Sequence, residues 1–149
     1  MRRVKIYVIL LLTVLFMPIF GISVRAANVT DTYFYFYLSG NNWRYTEGRA
    51  KENTTSVYVH LQEAPIYFVY ARAEGYRTAS GSTTGTYYWY NDTIGGDVVL
   101  PKGQQSSIRT LIYERGGRIA RLGIKQFTED GVAYGVWSPD STRQYVVVN

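Results

Sequence analysis

The sequence predicts an all-β protein: a single antiparallel β-sandwich, jelly-roll or immunoglobulin-like, of about eight to nine strands behind an N-terminal signal helix. Three observations predict it. Period-two alternation of aromatic and β-branched residues recurs after Ala27, and no window there shows helical periodicity. Clusters of Gly, Asn, Asp, Ser or Pro separate nearly every pair of extended runs.

The first element is the leader. Arg2, Arg3 and Lys5 supply a positive end, Ile6 to Phe20 is an uncharged apolar run broken by Thr13 and Pro18, and Gly21 precedes Val24-Arg25-Ala26. This is the anatomy of a signal peptide cut after Ala26. A retained anchor is the competing reading, because the apolar run nearly reaches spanning length. The whole chain has 16 basic and 11 acidic residues, a charge of +5. Four of the basic residues (Arg2, Arg3, Lys5, Arg25) and none of the acids lie in the leader, so the remaining 12 and 11 leave a charge of +1. The basic balance mostly belongs to the leader. About 123 residues then remain, enough for one domain with a core of its own. The absence of cysteine excludes a lipid anchor and disulfide staples, and fits a Gram-positive bacterium better than a small secreted eukaryotic domain. The expected location is extracellular, by free release.

The strands follow in order. In Tyr33 to Leu38, Tyr33, Tyr35 and Tyr37 alternate with Phe34, Phe36 and Leu38, and the phenylalanines are expected inside. Val57, Val59 and Leu61 alternate in the same way, and Ile66 to Ala73 follows Pro65, so the two runs predict a hairpin. Gly75 to Gly85 reads as a loop before Thr86-Tyr-Tyr-Trp-Tyr90. Further strands are expected over 98–100, 107–114, 118–126, 132–137 and 143–148. Arg115-Gly116-Gly117-Arg118 predicts a tight hairpin, since paired glycines supply positive φ. Its register stays open between Leu111 and Ile112 as the residue opposite Leu122. Only the second places Arg109, Arg121 and Lys125 on one surface.

Three segments carry a family resemblance: Arg49-Ala-Lys-Glu-Asn-Thr-Thr-Ser-Val-Tyr58, Ile112-Tyr-Glu-Arg-Gly-Gly-Arg-Ile-Ala-Arg-Leu122 and Gly135-Val-Trp-Ser-Pro-Asp-Ser141. The chain resembles a family of small secreted proteins of Gram-positive bacteria in which a Thr-Thr-Ser-x-Tyr strand and a terminal Trp-Ser-Pro-Asp-Ser recur. The resemblance implies a secreted β protein and brings no activity with it. Ser138-Pro139-Asp140-Ser141 also has the chemistry of a turn, with Trp137 expected to cap the core.

Little catalytic chemistry survives inspection. One histidine and no cysteine exclude Cys-His catalysis, a two-histidine metal site and thiolate clusters. His60 lies mid-strand without a nucleophile elbow. Glu63, Glu74, Glu114, Glu129, Asp130 and Asp140 could supply a carboxylate pair, but most flank turns, where solvation is the plain reading. Asn91, Asp92 and Asp97 form a modest oxygen cluster lacking the Asp-x-Asp-x-Asp loop of calcium sites. Neither a catalytic residue, a metal nor a cofactor is expected.

Two surfaces are candidates for binding. Tyr33, Tyr35 and Tyr37, with Tyr88, Trp89 and Tyr90, could form an aromatic face for sugar rings or a protein. Arg109, Arg115, Arg118, Arg121 and Lys125 could form a basic hairpin that steers toward anionic polymers. Sheet propensity and charged-edge protection explain the same residues without a ligand. The expectation is a non-enzymatic secreted binding protein at or outside a Gram-positive cell surface, with a wall glycan, anionic wall polymer or surface protein as partner. Nucleic acid is not expected, and membrane is met only through the signal peptide before cleavage. The alternatives are a bacteriocin-like antagonist and a carboxylate-dependent hydrolase.

Overall fold

The computed structural model describes residues 27–149, so the expected signal helix over 1–26 lies outside the described residues. Eleven strands follow: β1 (Thr32–Leu38), β2 (Arg44–Tyr45), β3 (Arg49–Ala50), β4 (Val57–Glu63), β5 (Phe68–Arg77), β6 (Tyr88–Asn91), β7 (Val98–Pro101), β8 (Gln105–Ile108), β9 (Ile119–Gln126), β10 (Gly131–Ser138) and β11 (Val146–Val147). Among the described residues there is no helix. The chain is all β, as its alternation predicts.

The strands form two sheets. The first has the order β1-β10-β4-β8-β11, antiparallel except for the β8–β11 pair. The second has the order β2-β9-β5-β6, with β3 also on β9 and β7 also on β5. Both of its flanks are therefore broken strands: residues 44–50 meet β9 twice, and β6 and β7 share the length of β5.

A common core holds the sheets together. Phe34 and Leu38 from β1, Val57, Val59 and Leu61 from β4, and Trp137 from β10 are buried with Val69, Ala71 and Ala73 from β5 and Leu122 and Ile124 from β9. Each is the inward member of an alternating strand, and a fully buried side chain of the larger kinds stabilises by about 1.5–3 kcal/mol. The outward members are the subject of the next subsection.

Three sequence expectations need correction. β4 and β5 do not form a hairpin; they lie in different sheets, because β4 finds its partners in β10 and β8 while β5 pairs with β9. The strand expected over 107–114 ends at Ile108. Residues 111–117 instead make a helical turn, with Arg115 N–H donating to Leu111 O, Gly116 N–H to Tyr113 O and Gly117 N–H to Ile112 O. The last two bonds are a Schellman closure, and Gly116 takes the left-handed conformation it requires at φ 84°. The glycine pair terminates a turn rather than forming a hairpin, so neither proposed register occurs. β9 pairs with β5, Leu122 opposite Ala73 and Arg121 opposite Glu74.

Candidate functional site

The outer face of the first sheet is a tyrosine platform. Tyr33, Tyr35 and Tyr37 point away from the core and are 58, 59 and 59% exposed. Across the β1–β10 ladder they face Val136, Tyr134 and Val132. Tyr35 and Tyr134 are nearly parallel, their ring centroids 6.4 Å apart at 9°, and the Tyr33 ring lies 6.0 Å from that of Tyr134. Among the described residues no cation stacks on these four rings. The result is an exposed aromatic surface with one apolar valine on each side of Tyr134 along β10.

The outer face of the second sheet is built differently. Arg72 lies 3.6 Å over the Trp43 ring. Lys125 sits between Trp43 and Tyr70, at 5.1 and 5.0 Å. Arg121 sits between Tyr45 and Trp89, at 3.9 and 4.2 Å. Trp89 continues onto Tyr76 and Tyr76 onto Tyr87. Glu74, only 4% exposed, accepts Arg121 Nε at 2.9 Å and Nη2 at 2.6 Å, with Arg72 Nη1 at 3.4 Å. Asp97 pairs with Arg72 at 3.0 Å. Burial, reinforced by the Glu74 charge, holds the Tyr45 hydroxyl above its ordinary range. Aromatic and cation thus alternate along the face, and the ladder is nearly self-neutral.

The sequence-predicted residues are redistributed accordingly. Trp89 joins the ladder, while Tyr88 and Tyr90 point to the opposite side of β6, where Arg77 lies 4.3 Å from the Tyr90 ring. The six aromatics therefore do not form one surface. The five basic residues do not share one either. Arg121 and Lys125 belong to the ladder, and Arg118 folds over Tyr113 at 3.8 Å. Arg115 donates to Asp92 at 2.9 Å. Arg109 donates to the Asn149 backbone oxygen. The residues missed were Trp43, Tyr45, Tyr70, Arg72, Tyr76 and Tyr134, while Glu74, a carboxylate candidate in the sequence, instead anchors the ladder through Arg121. A signal for some was present, since Tyr70, Arg72, Glu74 and Tyr76 follow the same period of two.

The acidic candidates are mostly engaged. Asp92 accepts Arg77 Nε at 2.8 Å and Nη2 at 2.7 Å besides Arg115. The Lys102 ammonium, 2.8 Å away, keeps the Glu63 carboxyl below the usual range. Asp140, expected in a turn and counted among the candidate carboxylates, is buried and hydrogen-bonded to residues distant in sequence. Its Oδ1 accepts Lys51 Nζ at 2.6 Å, and its Oδ2 accepts the backbone N–H groups of Asn28 and Glu52 at 2.9 Å each. Lys51 Nζ also donates to Pro139 O at 2.7 Å and to Thr55 O.

Residues 22–141 match the family model described as "Protein of unknown function (DUF2712)". The chain belongs to the DUF2712 family. No curated protein and no solved structure matches it. In this DUF2712 chain the first and last landmark segments of the sequence dock on each other through Lys51, Thr55 and Asp140. Beside that contact runs an open groove lined by Thr54, Ser56, Arg109, Glu114, Ser141 and Arg143. The Tyr-Glu-Arg-Gly-Gly landmark supplies Glu114 to it, so residues from all three segments meet in this region.

Proposed function

We propose that this protein is a secreted, non-enzymatic binding protein acting at or outside a Gram-positive cell surface, and that Tyr33, Tyr35, Tyr37 and Tyr134 form its recognition face. In this reading residues 1–26 are a leader cut after Ala26, and the two sheets are the halves of one β-sandwich. The observation that carries it is the exposure of Tyr33, Tyr35 and Tyr37 on a face where no cation stacks on their rings or on Tyr134, among the described residues. A ligand that can use such a face presents flat, weakly polar rings or an apolar protein surface. A wall glycan fits, because sugar faces stack on aromatic rings while the phenol hydroxyls bond their edges. An anionic polymer fits less well, because Arg115, Arg118, Arg121 and Lys125 are held by Asp92, Tyr113, Glu74 and the ladder rings, and Arg109 by the Asn149 backbone oxygen.

The hydrolase alternative draws less support. Glu63, Glu74 and Asp140 each hold a cation already, whereas a working pair needs one carboxyl poised as acid and another open to substrate. The antagonist alternative rests on the same tyrosine face meeting a foreign cell.

Retention of the purified protein on isolated Gram-positive wall fractions, at low and high salt, tests the proposal. Retention that survives high salt is expected of stacking recognition. Elution by salt would return the interaction to the basic residues. Absence of binding together with growth inhibition of other cells would replace the proposal by the antagonist reading.

A further inference from the structure

The buried pair that joins the two outer landmarks has the chemistry of a covalent cross-link. Lys51 Nζ and Asp140 Oδ1 are 2.6 Å apart, and both side chains are 0% exposed. Amine and carboxyl are held in contact in a buried site, so the entropy of bringing them together has been met by folding. Oδ2, the second oxygen of that carboxyl, accepts two backbone N–H groups, from Asn28 and Glu52, at 2.9 Å each. Two fixed donors on one carboxyl oxygen are what a tetrahedral addition at Cγ needs to stabilise its developing charge. Burial also pushes the Lys51 amine below its ordinary range, toward the nucleophilic form, against the opposing pull of Asp140.

We propose that Lys51 and Asp140 condense to an intramolecular isopeptide bond between Nζ and Cγ. Transfer of one proton from the ammonium to Oδ1, across the 2.6 Å contact, gives the neutral amine and carboxylic acid from which the condensation starts. The amine lone pair adds to Cγ, and the C=O electron pair moves onto Oδ2 between the two N–H donors. A second ammonium proton passes to Oδ1, which leaves as water as the C=O bond reforms. The third proton stays on the amide nitrogen, whose N–H can donate to Pro139 O or Thr55 O, both of which already accept from Nζ. No oxidant, reductant or cofactor enters. The link would enclose everything from β4 to β10 in one covalent ring, restricting the unfolded chain as a disulfide does in a protein that has no cysteine. It would form whether or not the tyrosine face binds a ligand.

The experiment is the intact mass of the purified protein, its N-terminus determined, unfolded after days in native buffer, together with a tryptic map. The expected mass is lower than that of the sequence by one water, with a branched peptide joining the Lys51 and Asp140 fragments. Lys51→Arg, which keeps the charge and cannot form the amide, is expected at full mass and with a lower unfolding temperature. Should that variant fail to fold, the wild-type mass and map decide alone. A wild-type mass without water loss, or a water loss mapped to another residue, would overturn the proposal.

Discussion

Among the described residues, Tyr33, Tyr35, Tyr37 and Tyr134 on the first sheet carry no stacked cation, whereas on the second sheet Trp43, Tyr45, Tyr70 and Trp89 each have a guanidinium or ammonium over the ring. Both faces arise from the same alternation of outward aromatics, yet their neighbours across the ladders differ. β1 lies against β10, whose outward residues are Val132, Tyr134 and Val136. β5 lies against β9, whose outward residues include Arg121 and Lys125. A ring already stacked on a cation, worth about 0.5–2 kcal/mol, has spent that face on the fold. A ring on an uncharged, exposed ladder has not. The comparison teaches that aromatic content marks sheet surface, and that the partner strand decides whether the surface is internal bracing or open to a ligand.

The ladder is therefore where substitution should cost stability. Arg121→Ala removes the closest cation from nearly buried Glu74 and uncovers Tyr45 and Trp89 together, so a loss of about 2–3 kcal/mol is expected in chemical denaturation. Gly123→Ala tests the same packing from the backbone side. Its Cβ would lie 2.7 Å from Tyr45 Cε1 and 3.1 Å from Arg72 Cγ, and the displaced ring should cost about 1–2 kcal/mol. Neither change should weaken retention on wall fractions once the fold is intact.

The platform should behave in the opposite way. Tyr35→Ala, on the exposed face, is expected to change stability by about 1 kcal/mol or less. A larger loss would make the platform part of the bracing and erase the comparison. The smallest expected effect is alkaline. Because the Tyr45 hydroxyl is held above its ordinary value of 10.0, the folded protein keeps a proton that the unfolded chain has released. Stability contributed below that pH should fall as pH rises through the folded value. A pH series of melting temperatures on the wild type and on Tyr45→Phe would show a shallower alkaline fall in the variant.

How far the sequence could be read follows from which signals are local. The Tyr/Phe alternation of β1 and the Val57-Val59-Leu61 run specify a strand and its buried face by themselves, and both are seen. Gly116-Gly117 is a local signal with two solutions, since a hairpin and a Schellman closure both need a left-handed glycine; only the pairing of β9 with β5 separates them. That pairing is between distant segments and left no mark in 115–118. β2 and β3, two residues each, were too short for any periodicity to register. The aromatic and basic candidates were legible as types but not as neighbours. Trp89 meets Arg121, and Trp43 meets Lys125, through strands far apart in the chain. Lys51 and Asp140 were hidden for a different reason. Charged residues beside turns are ordinarily solvated, and nothing in the chain between them announces that folding buries one against the other.

The most direct test of the recognition face compares salt-resistant retention on isolated Gram-positive walls for wild type, Tyr35→Ala and Arg121→Ala, each shown to be folded by its thermal transition. The account predicts that Tyr35→Ala loses retention and Arg121→Ala keeps it at reduced stability. Retention kept by Tyr35→Ala and lost by folded Arg121→Ala would contradict it and move recognition to the ladder of the second sheet.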